Sequence, residues 1–104
     1  MVSKSKIFDA RLGDTYEAVL KALRSNSFEI NSKLDRRITA SVPPSIFSWG
    51  EDIEISLEGT GTRTKVTVSS RPKAQIFDWG KSEENIDRLI ASLDKMLVSK
   101  KTER

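Results

Sequence analysis

Two similar hexapeptides contain most of the residues of this chain that could form a binding site. Residues 46–51 (IFSWGE) recur thirty positions later as residues 76–81 (IFDWGK), and together they hold both tryptophans and two of the four phenylalanines. Aromatic walls with a few charged groups are the usual composition of a site for a small molecule or a protein partner. The pattern predicts such a site, with four aromatic walls and three orienting charges: Phe47, Trp49, Phe77 and Trp79, with Glu51, Asp78 and Lys81.

A structural role explains the same two segments without a ligand. The rings would close the open end of a sheet-and-helix sandwich, since a small domain needs its large rings inside. Ser48 and Asp78 would each accept a hydrogen bond from the amide two residues later. Gly50 and Gly80 at those positions would allow a positive φ. The sequence leaves this structural plug and the binding site as two open interpretations.

The composition removes the common catalytic groups. The chain has no cysteine and no histidine, so disulfides, thiolate ligands and the most frequent general base are absent. An enzyme would depend on carboxylates, and Asp78 beside Trp79 and Lys81 is the candidate, because an apolar wall raises the pKa of a carboxyl group. We expect no catalytic residue, no metal and no cofactor, and keep an enzyme at Asp78 as an alternative.

Basic residues in the loops suggest a second alternative, a weak nucleic-acid-binding protein. The net charge of +3 is far below that of dense phosphate-binding surfaces. Four basic loop residues would nevertheless make a phosphate site if their loops converge: Arg36, Arg37, Arg71 and Lys73. The basic C-terminal residues would add to this site.

The hydrophobic pattern predicts the elements that position these residues. Alternation over residues 8–12 predicts a first strand. Asp14 and Glu17 have the spacing of a capping box, and a helix should follow to about residue 25. Its apolar face would consist of Tyr16, Val19, Leu20 and Leu23.

Four further segments alternate between apolar and polar residues and predict strands. The predicted inward residues are Phe28, Ile30 and Leu34; Ile38, Ala40 and Val42; Ile53, Ile55 and Leu57; Thr64, Val66 and Val68. Residues 58–61 (EGTG) should form a hairpin loop. The outward residues make a solvated face of mixed charge, with Glu29, Lys33, Asp52, Glu54, Arg63 and Lys65.

A final helix follows the second hexapeptide. Ser82 is a good N-cap, and an apolar stripe follows it: Ile86, Leu89, Ile90, Leu93, Met96 and Leu97. The predicted order is β-α-β-β-β-β-α, an α+β two-layer sandwich with an antiparallel sheet and two helices on one face. We expect one domain over residues 1–104, with a flexible basic tail from about residue 99. Pairing of the strands at 53–57 and 63–69 would place both hexapeptides at the same end of the sheet.

This element order resembles the TATA-binding-protein-like and helix-grip folds, over nearly the whole chain. The paired motifs SWGE (48–51) and DWGK (78–81), with Asn85 soon after, also resemble those of small prokaryotic domains, over roughly residues 28–90. The resemblance implies the fold and no particular activity. With no apolar run of about 20 residues and no apolar segment near the start, we expect a cytoplasmic protein without a membrane partner. It would be a monomer or a homodimer, through the last helix or an edge strand.

Overall fold

One five-stranded antiparallel sheet carries two helices, in the computed structural model that describes residues 2–43, 50–72 and 81–102. The elements are β1 (Val2–Phe8), α1 (Leu12–Ser25), β2 (Glu29–Lys33), β3 (Arg37–Val42), β4 (Glu51–Thr60), β5 (Arg63–Pro72) and α2 (Lys81–Thr102). The predicted α+β arrangement and its element order are confirmed.

The strands lie in the order β1-β5-β4-β3-β2, so the first strand pairs with the last. β4 and β5 form the longest pair, from Glu51 opposite Pro72 to Thr60 opposite Arg63. Gly61 and Thr62 alone make the turn, and Gly61 has a φ of 68°. The predicted loop at 58–61 is therefore wrong by three residues, because the ladder continues through Thr60.

One face of the sheet and one stripe of each helix form the core. The buried apolar residues of the strands are Phe8, Ile38, Ala40, Ile53, Ile55, Leu57, Val66 and Val68, with Phe28 just before β2. The helices contribute Ala18, Val19, Leu20, Ala22 and Leu23 from α1, and Ile86, Leu89 and Leu93 from α2. The six charged residues predicted on the outer face are all exposed. Five of them lie on that face, which matches the one-sided burial of an antiparallel sheet, whereas Lys33 pairs with the inward Ile38.

The first strand and first helix begin earlier than the pattern predicts. β1 ends at Phe8, and α1 starts at Leu12 after an N-cap at Arg11 whose side chain makes no capping hydrogen bond. The capping box at Asp14 is therefore wrong, since Asp14 already lies in the first turn. The buried Thr15 donates its hydroxyl to Arg11 O at 2.9 Å, and Thr64 of β5 donates to Ala10 O at 2.8 Å. These bonds satisfy carbonyls at the β1–α1 connection.

A register shift in β2 reverses the expected side of its last residues. The pairing with β3 shifts between Ile30 and Ser32, so Lys33 rather than an apolar residue pairs with Ile38. Leu34 then lies beyond the strand and is 59% exposed. A bulge adds one residue to the strand, and because side chains alternate with period two, every later side chain changes face.

The last helix runs along β1, and ion pairs hold the two together. Lys4 Nζ lies 3.0 Å from Glu83 Oε1 and 2.7 Å from Asp87 Oδ1, and Lys6 Nζ lies 2.6 Å from Asp94 Oδ2.

Both ends of α2 differ from the sequence prediction. The helix begins at Lys81, so Ser82 is a helical residue rather than the cap, and it continues to Thr102 through part of the predicted tail. Neither helix, over the residues described, is long and apolar enough to cross a membrane.

Candidate binding site at the Glu51 end of the sheet

Both hexapeptides connect to the same end of the sheet. Glu51, the last residue of the first hexapeptide, begins β4 and lies opposite Pro72, the last residue of β5. The second hexapeptide follows Pro72 after three residues and leads into α2 at Lys81. We call this region, where β4 begins and β5 ends, the Glu51 end. The predicted residues Phe47, Trp49, Phe77, Asp78 and Trp79 lie outside the described residues.

The carboxylate of Glu51 is inside the protein, although the sequence predicted it beside a partner. Glu51 is 1% exposed and lies on the inward side of β4, like Ile53 and Ile55. The side chain of Ser70, also 1% exposed, donates a hydrogen bond to Glu51 Oε2 at 2.9 Å. A buried carboxylate needs such bonds, because removing its charge from water costs several kcal/mol. Glu51 is therefore a buried polar group that a side chain of β5 holds in place.

Two residues of this region were not predicted as site residues, Ser70 and Asn85. Ser70 continues the inward series of β5 after Val66 and Val68, and a polar residue at an inward position was the available signal. Asn85 is 8% exposed and precedes the buried Ile86 in the first turns of α2. Its position next to the apolar stripe of α2 was the corresponding signal in the helix.

Asn85 lies at the Glu51 end because of how α2 is held. Lys4 contacts both Glu83 and Asp87, which flank Asn85 in α2. The start of β1 is beside the end of β5, with Val2 opposite Ser70. The first turns of α2 and the Glu51–Ser70 pair therefore lie at one end of the sandwich. Glu51, Ser70 and Asn85, three buried polar residues that are far apart in the sequence, therefore lie at this end.

The backbone at Gly50 has the conformation that the repeated glycine suggested. Gly50 is buried and has a φ of 95°, in a region that residues with a Cβ atom rarely adopt. A glycine immediately before Glu51 thus lets the chain turn into β4.

A groove of about 610 Å³ lies on the outer face of the sheet at this same end. The residues that line it are Thr39, Asp52, Ile53, Glu54, Ser69, Ser70 and Arg71. Asp52 lies opposite Arg71 in the β4–β5 register, and the hydroxyl of Ser69 is 3.0 Å from that of Ser3. The groove thus offers both donors and acceptors, with two carboxylates and one guanidinium group.

The basic residues of the nucleic-acid alternative do not form one cluster among the described residues. Arg37 lies opposite Ser56 and Arg71 opposite Asp52, four residues apart along β4, or roughly 13 Å at the usual strand rise. Arg36 Nε is 3.9 Å from Asp35, and Arg37 Nε is 3.7 Å from Glu54. Lys73 lies outside the described residues. Arg36 and Arg37 are therefore each beside a carboxylate, which weakens their attraction for phosphate.

Comparison with known proteins identifies a fold and no family. The chain matches no protein-family model and no curated protein sequence. Fourteen chains among solved structures match it. One of them, the crystal structure of TTHA0849 from Thermus thermophilus, shares 15% identity at a TM-score of 0.50. The match covers 94% of this chain and 97% of that one. At this identity the likeness extends to the fold alone.

Proposed function

We propose that this protein is a small binding or accessory module with its site at the Glu51 end of the sheet. The observation that carries the proposal is the buried carboxylate of Glu51, held by Ser70 where both aromatic segments join the sheet. Pockets for small molecules or partners combine apolar walls with a few fixed polar groups. The described part of this end supplies the polar groups, and the two hexapeptides supply the aromatic residues.

The buried carboxyl group favours a site over a structural plug. A plug needs only apolar contacts, and burying a polar group costs free energy that its hydrogen bonds must offset. Glu51 costs desolvation energy that an apolar residue at the same inward position would not cost. This desolvation cost is explained if Glu51 belongs to a polar site that accepts part of a ligand or partner.

The proposal assigns different roles to the predicted site residues. Phe47, Trp49, Phe77 and Trp79 form the walls, and Asp78 and Lys81 orient the bound group. Glu51 acts from inside, as a fixed acceptor whose position Ser70 sets. We further propose a cytoplasmic location and membership of the small prokaryotic domains with SWGE and DWGK motifs, within the TATA-binding-protein-like folds.

Tryptophan emission tests whether the aromatic residues form a site. Trp49→Phe and Trp79→Phe each leave one indole, whose emission and quenching by acrylamide report its exposure to water. We expect at least one indole to emit at long wavelength and to be quenched readily. If both emit at short wavelength and resist quenching, the hexapeptides are a plug and the proposal fails.

A fragment screen by amide chemical shifts then tests the location of the site. Small polar fragments that bind should shift the amides of Gly50, Glu51 and Asn85. Glu51→Gln keeps the shape of the side chain and removes its charge, so it should weaken these shifts. Glu58→Gln changes an exposed glutamate at the other end of β4 and is the matched control. Equal shifts in both variants would contradict the role of Glu51.

A further inference from the structure

The groove on the outer face of the sheet lies where short side chains flank a charged one. In the strand register, Glu54 has Thr39 on one side and Ser69 on the other, and Asp52 lies opposite Arg71. Thr39 and Ser69 are half-buried, whereas the three charged residues are exposed. The resulting depression of about 610 Å³ is within the usual size range of small-molecule sites.

The charges around this groove are balanced, which disfavours an ionic ligand. Arg37 Nε lies 3.7 Å from Glu54 Oε1, and Arg71 is the register neighbour of Asp52. A phosphate would meet the two carboxylates, and an ammonium group would meet the two guanidinium groups. A neutral ligand avoids both repulsions.

The side chains of the groove fit a ligand that both donates and accepts hydrogen bonds. A carboxylate only accepts, a guanidinium only donates, and a hydroxyl does both. The hydroxyl of Ser69 lies 3.0 Å from that of Ser3, and the hydroxyl of Thr39 lies 2.6 Å from that of Ser32. Each of these hydroxyls keeps the capacity for a further bond. Hydroxyl groups on a ligand satisfy all three kinds of side chain.

We propose that this groove binds a neutral saccharide. Its hydroxyl groups donate to Asp52 and Glu54 and accept from Arg71. Its C–H groups pack on the methyl group of Thr39 and on the methylene groups of the charged side chains. Because each hydrogen bond replaces one to water, the dissociation constant should be roughly millimolar. The groove is on the face opposite the buried Glu51 carboxylate, so the proposal does not depend on the function proposed above.

A titration with neutral trisaccharides, followed by amide chemical shifts, tests the ligand class. Of maltotriose, cellotriose, xylotriose and mannotriose, at least one should shift the amides of Thr39, Glu54 and Ser69 saturably. The permethylated form of that sugar cannot donate and should bind at least roughly ten-fold more weakly. The proposal is overturned if none of the four shifts these amides, or if only inorganic phosphate does. Shifts confined to Gly50 and Asn85 would also overturn it, because the sugar would then bind at the other site.

Two threonine variants test the location. Thr39→Val removes a groove hydroxyl and should weaken binding roughly three- to ten-fold. Thr67→Val is the matched control and should leave binding unchanged. Thr67 is also half-buried on the outer face, with its hydroxyl 2.8 Å from that of Ser5, but it lies beyond the groove. Equal weakening by the two variants would overturn the proposal.

Asp52→Asn is a second groove variant, at an exposed position where the change is tolerated by the fold. It removes a charged acceptor and keeps the shape of the side chain, so it should weaken binding roughly ten-fold. Unchanged affinity in both Thr39→Val and Asp52→Asn would show that the sugar binds elsewhere and would overturn the proposal.

Discussion

Ser70 makes a buried carboxylate tolerable at Glu51. Its hydroxyl is directed at Glu51 Oε2 from the neighbouring strand, and both side chains are almost fully buried. Inside a protein a hydrogen bond to a charged group contributes more than a neutral one, and an unsatisfied polar atom costs more than in water. The stability of the Glu51 end therefore depends on this hydroxyl.

Ser70→Ala should destabilise the protein by about 1–3 kcal/mol, because the carboxylate of Glu51 loses a donor in a dry environment. Ser69→Ala is the control, since that hydroxyl is on the half-exposed outer face and pairs with Ser3. Its cost should stay within about 0.5 kcal/mol, as for most surface changes. Urea unfolding measures both values. Similar losses in the two variants would show that the Glu51–Ser70 bond has no special weight.

The burial of Glu51 could not be predicted from the sequence. A glutamate after Trp49 and Gly50 is expected on the surface, because charged residues are seldom fully buried without a partner. The partner is 19 positions away, and only the β4–β5 register brings it close. Ser70 continues the alternation of Val66 and Val68, but the predicted strand ended at residue 69, because the pattern alone does not tell a buried hydroxyl from the end of the strand.

At the scale of elements, the ion pairs between β1 and α2 explain why β1 was predicted in the wrong place. Its inward positions hold Lys4 and Lys6, which reach acidic residues of α2. An edge strand with charged inward residues has no apolar alternation, so the pattern found residues 8–12 instead. The shift in β2 escaped prediction for a related reason, since no glycine or proline marks it. The central strands and the stripe of α2 were predicted well because apolar contacts on one face determine them.

The contacts of Lys4 should make stability depend on alkaline pH. Hydrogen bonds to Asp87 and Glu83 raise the pKa of Lys4 above its ordinary value of 10.5. A raised pKa in the folded state gives stabilisation that is complete below the ordinary pKa and is lost as the pH rises through the raised one. The difference in unfolding midpoint between the natural chain and Lys4→Gln should therefore be constant near neutral pH and shrink above about pH 10.5.

Lys65→Gln, on the exposed outer face, controls for the general loss of a positive charge. A pH-independent difference for Lys4→Gln would mean that its side chain stabilises the protein through packing and not through its ion pairs. Because these pairs are solvent-exposed, the effect should also weaken at high salt.

For the molecule as a whole, the sequence was sufficient to predict the two-layer arrangement but not the contacts at the candidate site. The order β-α-β-β-β-β-α and the one-sided core follow from apolar periodicity, which repeats in each element and tolerates local errors. The site depends on single contacts between distant residues, such as Ser70 with Glu51, and these arise only from the pairing register. The separation of Arg37 from Arg71 along β4 has the same origin. Residue types alone could not show whether these residues converge into one basic cluster.

The pairing of the first strand with the last has a consequence for the order of folding. β2 to β5 form a meander of neighbouring hairpins, whereas Val2 and Phe8 pair with Ser70 and Thr64 across most of the chain. Closing so long a loop is entropically costly, so contacts of this kind usually form late.

Phe8→Leu in β1 should thus mainly accelerate unfolding, and Ile55→Val in β4 should mainly slow folding, as denaturant-dependent rates would show. If Phe8→Leu slows folding instead, β1 docks before the rate-limiting step. If β1 docks late, the folding chain has an unpaired β5 edge until β1 pairs with it.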